Sequence, residues 1–284
     1  LLVFWVLKLP ATASRMVVLA QQYPAQRNAL LRLIEPLSAP DDADAQGEAG
    51  EGLSAQVARL SRGGRQGVAL KVEDGVVVAG GHPILTDLNL EIRAGEHVGL
   101  VGVSGAGKST LLGLCLGWRT LSEGRASVDG LPLLGETLQE LRTLTAWVDP
   151  GVQVWNRSFL DNLNYAADDD GLDRVGDVLA AARLGRVLQG LPQGLQTLVG
   201  EGGGRLSGGE GQRLRLGRAL MARNARLALL DEPFRGLDRD QRRQLLDEAR
   251  AWWRHATLLC VTHDVSETLG FDRVLVIEGG RIVE

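Results

Sequence analysis

The stretch "GVSGAGKST", residues 102–110, decides how the rest of the chain is interpreted. It fits the spacing G-x-x-x-x-G-K-[ST] of a phosphate-binding loop, with an apolar strand-like run before it and a helical pattern after it. Glycines let backbone N–H groups point at phosphate oxygens, and the start of the helix adds a positive field. A glycine-rich turn that only caps a helix is the alternative, but it does not explain the full pattern with both flanks. The residues predicted to bind nucleotide are Gly102, Ser104, Gly105, Ala106, Gly107, Lys108, Ser109 and Thr110.

A second stretch, "LALLDEP" at residues 227–233, supplies the acids that such a loop requires. Four apolar residues predict a buried strand that places Asp231 at its end, where a carboxylate can hold Mg²⁺ together with the Ser109 hydroxyl. Lys108 is predicted to reach the β- and γ-phosphates, and Glu232 to act as general base on a water molecule. The alternative is an acid pair at an ordinary strand end. The two stretches together predict a nucleoside triphosphatase.

The composition is that of a folded soluble domain with no general affinity for polyanions. Of the 284 residues, 44% are hydrophobic and 23% charged, and the net charge of −4 gives no attraction to nucleic acid or anionic membrane. Aromatic residues make up only 4%, and 37 glycines are present, which fits a nucleotide-handling enzyme better than a base-stacking protein. Cys115 and Cys260 lie in apolar runs and are expected to be reduced core residues, with a disulfide as the alternative.

A third stretch, "RLSGGEGQRLRLGRAL" at residues 205–220, identifies the family. It resembles the signature of the ABC-type ATPases, the cassettes that power ABC transporters, with Glu210 where many relatives have glutamine. Ser207 and the glycines after it would cap a helix and offer N–H groups to an anion. A plain helix cap is the alternative, but it does not explain why the segment precedes the strand of Asp231. The matching residues are Leu206, Ser207, Gly208, Gly209 and Glu210, followed by Gln212 and Arg213.

Two later segments extend the resemblance. "FRGLDRD" at 234–240 resembles the family's D-loop, with Leu237 and Asp238 in place and Arg235 where a small residue is commoner. "VTHD" at 261–264 ends an apolar run with His263, the position of the family's switch histidine. The resemblance implies that Glu232 and His263 are the catalytic residues. The other histidines, expected to be surface or packing residues, are His82, His97 and His255.

Buried strand patterns that alternate with helical patterns predict an α/β fold. The family resemblance covers residues 67–284 and implies a P-loop NTPase core of the ABC type, with a β-rich N-terminal subdomain and an inserted α-helical signature subdomain. Residues 37–66 include an acidic, small-residue run and are predicted to be a flexible linker. Residues 1–36 are predicted to be the end of a membrane or cytoplasmic coupling helix, with an amphipathic helix packed on the domain as the alternative. We expect the chain to be a fragment cut at both ends, with the cassette truncated at its C-terminus.

The resemblance also implies partners and a location. The family's cassettes work as dimers, homodimers or heterodimers, with ATP and Mg²⁺ between the phosphate loop of one copy and the signature of the other, so that Ser207 acts on ATP bound by the partner's Lys108. The segment "TLVGEGGGRLSGG" at 197–209 resembles ABC exporters, in which a glutamate at the position of Glu201 touches the membrane domain. A flexible glycine-rich loop is the alternative. The exporter interpretation implies a transmembrane domain fused upstream, a place at the cytoplasmic face of the membrane, and no nucleic-acid partner.

The sequence departs from the family pattern at two places. Residues 79–82, "AGGH", occupy the place of an aromatic residue that stacks on adenine, which predicts looser ATP binding and weaker adenine selectivity. Pro150 occupies the place of a glutamine that contacts Mg²⁺ and the attacking water, and proline has no side-chain donor or acceptor. Asp149 and Gln153 are the possible substitutes, and a carboxylate suits Mg²⁺ better.

Three functions remain open from the sequence. The first is an active exporter cassette, which the intact Lys108, Ser109, Asp231, Glu232 and His263 favour. The second is a degenerate regulatory cassette that binds ATP and turns over slowly, which the two departures favour. The third is a soluble ABC ATPase of DNA repair or translation, which the single cassette and the balanced charge disfavour.

Overall fold

The structure, a computed structural model, describes residues 57, 60, 66–167 and 172–283. Its strands fall into two sheets that are built from different parts of the chain. The strands are β1 Leu70–Ala79, β2 His82–Ile92, β3 His97–Gly102, β4 Glu123–Val128, β5 Leu131–Pro132, β6 Thr145–Val148, β7 Leu227–Asp231, β8 Thr257–Val261, β9 Arg273–Glu278 and β10 Arg281–Val283.

Helices follow and separate these strands. The α-helices are α1 Lys108–Cys115, α2 Gly135–Thr143, α3 Phe159–Leu163, α4 Val175–Ala181, α5 Gly185–Gly190, α6 Gly208–Leu220 and α7 Arg239–Trp252. Short 3₁₀ helices are Asn164–Ala166, Leu172–Arg174, Gly194–Gln196, Glu201–Gly203 and Val265–Gly270.

The six-stranded sheet has the order β10-β9-β3-β8-β7-β6 and carries the motifs. Strands β3, β6, β7, β8 and β9 run parallel, and only β10 is antiparallel to its neighbour. Helices cover a parallel sheet on both faces, so its strands become continuous apolar runs. All five residues of β8 and the first four of β7 are buried, as their sequences predict. The carboxyl ends of β3 and β7 therefore bring residues 102 and 231 to the same edge.

The four-stranded sheet is antiparallel, in the order β2-β1-β4-β5, and forms the β-rich part of the chain. Helices α3 to α6 lie in sequence between β6 and β7 and form the helical part, which carries the signature segment. The expected division into an α/β core, a β-rich part and a helical insertion is therefore present.

Helix starts follow the capping residues that the sequence offers. Asp238 caps α7, its Oδ1 accepting from the N–H of Gln241 at 2.9 Å, as predicted. Only Leu245, Leu246 and Ala249 of α7 are buried, so the helix is charged on the outside and apolar on one narrow stripe.

Packed structure begins before the expected boundary at Gly67. Val57 and Leu60, inside the predicted flexible linker, are helical and are 7% and 2% exposed. The Arg226 guanidinium, itself buried, donates to the carbonyl oxygens of Leu60, Gln66 and Gly67 at 2.6–2.8 Å. The predicted coupling helix at 1–36 and most of the linker at 37–66 lie outside the described residues, as does the final residue, Glu284.

Both cysteines are free and buried, as expected. Burial raises the pKa of the Cys115 thiol to about 12.

His97 is a packing residue whose ring nitrogen Nε2 lies 3.2 Å from the carbonyl oxygen of Trp253. Burial lowers the pKa of His97, because the charged ring would lose its hydration.

Candidate active site

The predicted phosphate loop connects β3 to α1. Gly107, the residue before the helix, has φ of 108°, and a Cβ there would lie 2.6 Å from Cδ2 of buried Leu85. Only glycine fits both conditions. Ser104 and Gly105 are exposed at the tip of the loop, whereas Ala106 is buried beneath it. The loop is therefore anchored on its inner side and open to a ligand on its outer side.

Lys108 lies back over this loop. Its Nζ donates to the carbonyl oxygens of Gly102 at 2.8 Å and Val103 at 2.9 Å, and the side chain is 7% exposed. An ammonium has three N–H donors, so these two contacts hold the charge at the loop and leave one donor. The ammonium group is therefore held at the loop for which the sequence predicts phosphate binding.

Asp231 and Ser109 bring the two predicted motifs into contact. Asp231 lies at the carboxyl end of β7, and Ser109, at the start of α1, is close enough to act on its carboxylate. Burial raises the pKa of Asp231; the negative charges of Asp149 and Glu232 raise it further, while Ser109 and Lys108 oppose the rise. Asp231 is thus a partly buried carboxylate beside two other acids, an environment that a divalent cation would relieve.

The residues present fit a magnesium ion that takes only a few protein ligands. Among the described residues no group of three or more His, Cys, Asp or Glu side chains is arranged to hold a metal. Mg²⁺ is usually held by one or two carboxylates, with water and substrate phosphates as the remaining ligands. The Ser109 hydroxyl and the Asp231 carboxylate match that pattern.

Glu232 is held in an uncommon backbone conformation. Its φ is 41°, and its N–H donates to the carbonyl oxygen of Val261 at 3.1 Å. A non-glycine residue with positive φ is uncommon and often marks a functional position. The carboxylate faces Arg235, whose Nη1 lies 4.0 Å from Glu232 Oε2.

His263 shares a pocket with Glu232, beyond the end of β8. The His263 ring is exposed, and the loop around it is fixed by its neighbour Thr262, whose hydroxyl donates to Glu267 and accepts from the N–H of Asp264. The two residues predicted to be catalytic are therefore placed together at the ends of adjacent strands.

The signature segment forms the start of α6. Ser207 caps the helix and pairs with Glu210 in a capping box: the Ser207 N–H donates to Glu210 Oε2 at 2.8 Å, and Ser207 Oγ accepts from the Glu210 N–H at 3.4 Å. The glutamate that replaces the commoner glutamine thus stabilises the helix start. Ser207 and Gly208 are exposed, and Leu206 is half-buried.

The D-loop packs against the signature within this chain. A Cβ added to Gly209 would lie 2.4 Å from Cδ2 of Leu237, whereas a Cβ added to Gly208 would meet nothing within 4 Å. Gly209 is therefore required for the close approach of Leu237, and Gly208 is not constrained in this way.

The segment at 149–151 is an Asx turn directly after β6. Asp149 Oδ1 accepts a hydrogen bond from the N–H of Gly151, across Pro150. The negative charge of Asp149 raises the pKa of Asp231. Burial lowers the pKa of Arg215, and the Asp149 charge opposes that change. Asp149 is therefore electrostatically part of the site although one of its oxygens holds the turn. Glu201, the predicted coupling residue, is exposed at the start of a 3₁₀ helix.

Arg218 and Asn162 are positioning residues that the sequence did not reveal. Arg218, 6% exposed, donates to the carbonyl oxygens of Asn162 at 2.9 Å and Gln153 at 2.8 Å, and to Asn162 Oδ1 at 3.0 Å. Asn162 in turn bonds both the N–H and the carbonyl oxygen of Trp155 at 2.9 Å. The signature helix therefore holds the segment that follows Asp149. The sequence does offer one sign that Arg218 is buried: it lies four residues after apolar Leu214, on the same side of the helix.

Comparison with known proteins agrees with this fold. Residues 85–235, just over half of the chain, match the sequence pattern of the family described as ABC transporter. This chain belongs to the ABC transporter family. The expected ABC-type P-loop fold and the family assignment are confirmed.

Individual ABC proteins are similar over the same region. The ATP-dependent lipid A-core flippase of Chromobacterium violaceum is 37% identical over 202 residues, covering 71% of this chain and 34% of the flippase. The protein of the same description from Thiobacillus denitrificans is 36% identical over 203 residues, covering 71% of this chain and 35% of that protein. The chain spans about a third of the length of these curated relatives.

A solved structure of an ABC protein has a similar fold. A bacterial Atm1-family ABC exporter with ATP bound superposes with a TM-score of 0.72 at 32% identity, over 76% of this chain and 38% of the exporter. Among the helices that the structure describes here, none combines the length and apolar character needed to cross a bilayer.

Proposed function

We propose that this chain binds and hydrolyses ATP and that it powers the export of a substrate across a membrane. One observation carries the proposal: β3 and β7 run parallel and end at the same edge of the sheet, so that the phosphate loop after β3 and Asp231 at the end of β7 form one site. The relatives described as ATP-dependent flippases, and the exporter with ATP bound, support export as the use of that hydrolysis.

The reaction follows from the placement of five side chains. Lys108 binds the β- and γ-phosphates from its position over the loop, and Ser109 and Asp231 would hold Mg²⁺. When bound, Mg²⁺ supplies positive charge that offsets the charge developing on the transferred phosphoryl group. Glu232 takes the proton from the attacking water at its carboxylate, and His263, in the same pocket, orients that water or the γ-phosphate.

We further propose that the working unit is a dimer of cassettes. The exposed Ser207 and Gly208 offer the N-terminus of a 13-residue helix, a site for an anion. In the dimer this end faces ATP held by Lys108 of the second copy. The second cassette is either a copy of this chain or a different cassette.

The cassette is proposed to lie at the cytoplasmic face of a membrane and to drive a transmembrane domain fused upstream. The match covers about a third of each relative, so the remaining two thirds of each are long enough to contain such a domain. Exposed Glu201 is the residue proposed to touch that domain.

Asp149 is proposed to take the place of the missing glutamine. Its charge reaches Asp231, and a carboxylate can bind Mg²⁺ directly or through water. Asp149→Ala should raise the Mg²⁺ concentration needed for half-maximal hydrolysis, with Glu123→Gln on the β-rich sheet as control. An unchanged rate and unchanged Mg²⁺ dependence in Asp149→Ala would show that this assignment is wrong.

Steady-state hydrolysis by the full-length protein tests the main proposal. Wild type should hydrolyse ATP with Mg²⁺ at least 100-fold faster than Glu232→Gln, since general-base catalysis contributes about 10²–10⁴-fold. Glu123→Gln should match wild type. If wild type is no faster than Glu232→Gln, the slow regulatory cassette becomes the better assignment.

A further inference from the structure

A groove on the helical side of the molecule gathers three arginines. It has a volume of about 600 Å³, within the range of about 300–1,000 Å³ of small-ligand pockets, and is formed by residues of α4, α5, α6 and α7 and of the turn between α4 and α5. None of the residues that line it is an acid, and none belongs to the phosphate loop. Its polar lining residues are Arg183, Arg186, Arg213, Gln241 and Gln244.

The positive charge in this groove is poorly neutralised. Arg183 donates to Gln244 Oε1, and its Nη2 lies 3.9 Å from Glu248 Oε1, where both side chains are 46% exposed. An exposed pair at that distance contributes little. Within the described ranges, neither Arg186 nor Arg213 takes part in an ion pair, and Arg213 bonds only the Gly209 carbonyl oxygen, at 3.3 Å. Guanidinium donors therefore remain free to bind a ligand.

The backbone at Arg183 gives an independent sign that its side chain is needed. Arg183 has φ of 52° and follows the end of α4, where the N–H of Leu184 donates to the carbonyl oxygen of Leu179 at 2.8 Å and that of Arg183 to Ala180 at 3.0 Å. These bonds form a Schellman motif, whose left-handed residue is usually glycine. An arginine there is strained, and strained residues concentrate at ligand sites.

We propose that the groove binds a phosphate-bearing anion, at a site separate from the one for ATP. Arginine presents paired N–H donors that match the oxygens of phosphate, and its charge is permanent. The glutamine amides add neutral donors beside it. The ligand is either a free phosphate compound or the phosphate of a lipid headgroup, because the chemistry of recognition is the same.

Such a ligand would bridge several helices. Arg186 lies on α5, Arg213 on signature helix α6, and Gln241 and Gln244 on α7, which follows the D-loop. An anion bound to all of them fixes the helical part against the core helix. The site therefore couples an anion to the position of the signature.

Thermal unfolding with inorganic pyrophosphate tests the proposal. The full chain carries Lys108→Ala throughout, which removes the main cation of the phosphate loop. Pyrophosphate should raise the Tm of this parent, and adding Arg186→Ala should weaken the apparent affinity about tenfold, the effect of losing a hydrogen bond to a charged group. Adding Arg243→Ala, on α7 but outside the groove, should leave the response intact.

Arg183→Gly separates binding from folding. Glycine relieves the positive φ, so this variant should unfold at a higher temperature than its parent without ligand, yet respond less to pyrophosphate. A second arm measures sedimentation with vesicles of phosphatidylcholine, with and without phosphatidylglycerol. Binding to anionic vesicles that Arg186→Ala abolishes assigns the site to a lipid headgroup, and a pyrophosphate response without vesicle binding assigns it to a free phosphate.

The proposal is overturned if neither probe binds, or if Arg186→Ala and Arg183→Gly respond as fully as the parent. It is equally overturned if Arg243→Ala loses as much as Arg186→Ala, because the effect would then be one of net charge.

Discussion

Gly209 and Gly208 should respond differently to the same substitution, although they are neighbours at the start of α6. A methyl group at Gly208 enters open space, whereas at Gly209 it would lie 2.4 Å from Cδ2 of Leu237. Ordinary carbon contacts are about 3.5–4.0 Å, so Leu237 must move by about 1 Å or more. Because Cδ2 is the end of a flexible side chain, Leu237 can turn away, and the D-loop then moves with it.

The magnitude follows from two opposing terms. Replacing glycine by alanine in a helix gains up to about 1 kcal/mol of unfolding free energy, less in the first turn. Full burial of a leucine stabilises by about 1.5–3 kcal/mol, so losing the packing of half-buried Leu237 costs about 1 kcal/mol, and the close contact adds to that. Gly208→Ala should be neutral or slightly stabilising, and Gly209→Ala should be less stable than Gly208→Ala by about 1–2 kcal/mol.

Urea unfolding of the two variants measures this difference, and steady-state hydrolysis measures its effect on the D-loop. The double variant Gly209→Ala with Leu237→Ala removes the collision and should recover part of the stability that Gly209→Ala loses. Equal stability of Gly208→Ala and Gly209→Ala, or a double variant whose losses are simply additive, would refute the reasoning.

Three further predictions concern other parts of the molecule. Ala79→Tyr, at the end of β1, should tighten ATP binding by about 5- to 150-fold in calorimetry, the equivalent of about 1–3 kcal/mol of base stacking; no change in affinity would count against the predicted adenine position. Arg218→Ala should lower the unfolding free energy by about 2–4 kcal/mol in urea because it leaves buried carbonyl groups unpaired, whereas exposed Arg205→Ala should cost under about 1 kcal/mol. Because burial lowers the pKa of His97 below its value in the unfolded chain, the unfolded chain takes up this proton first and stability falls as the pH drops below about 6.5; His97→Gln should flatten the loss between pH 7 and pH 5, and an unaltered profile would contradict it.

The sequence predicts those parts of the fold that are determined by residues close together in the chain. The apolar runs of β3, β7 and β8 are buried strands because each has a continuous apolar composition, and Asp238 caps α7 because a short carboxylate precedes a helical pattern. The phosphate loop was evident because its glycines, lysine and serine act within nine residues. The combination of motifs then gave the family.

The sequence did not reveal contacts between distant residues. Arg226 bonds carbonyl oxygens of residues 60, 66 and 67, and Arg218 bonds those of residues 153 and 162. A carbonyl oxygen is present at every position, so no side-chain pattern marks the ones that an arginine will reach. For the same reason the sequence does not mark Val57 and Leu60 as packed residues, and the run that contains them predicts a linker. The sequence also does not reveal the groove at Arg183 and Arg186, because nothing in a sequence marks an arginine whose backbone has a positive φ.

The contacts of Arg226 have a practical consequence for anyone who recombines this domain with others. Arg226 immediately precedes β7, the strand that ends at Asp231. Three of its hydrogen bonds are to the segment before β1, at residues 60, 66 and 67. A chimera joined at Gly67 would carry a foreign peptide in place of Leu60 and Gln66, directly beside a buried guanidinium. A junction that keeps Val57, Leu60, Gln66 and Gly67 native retains these contacts and the support that they give to the strand ending at Asp231.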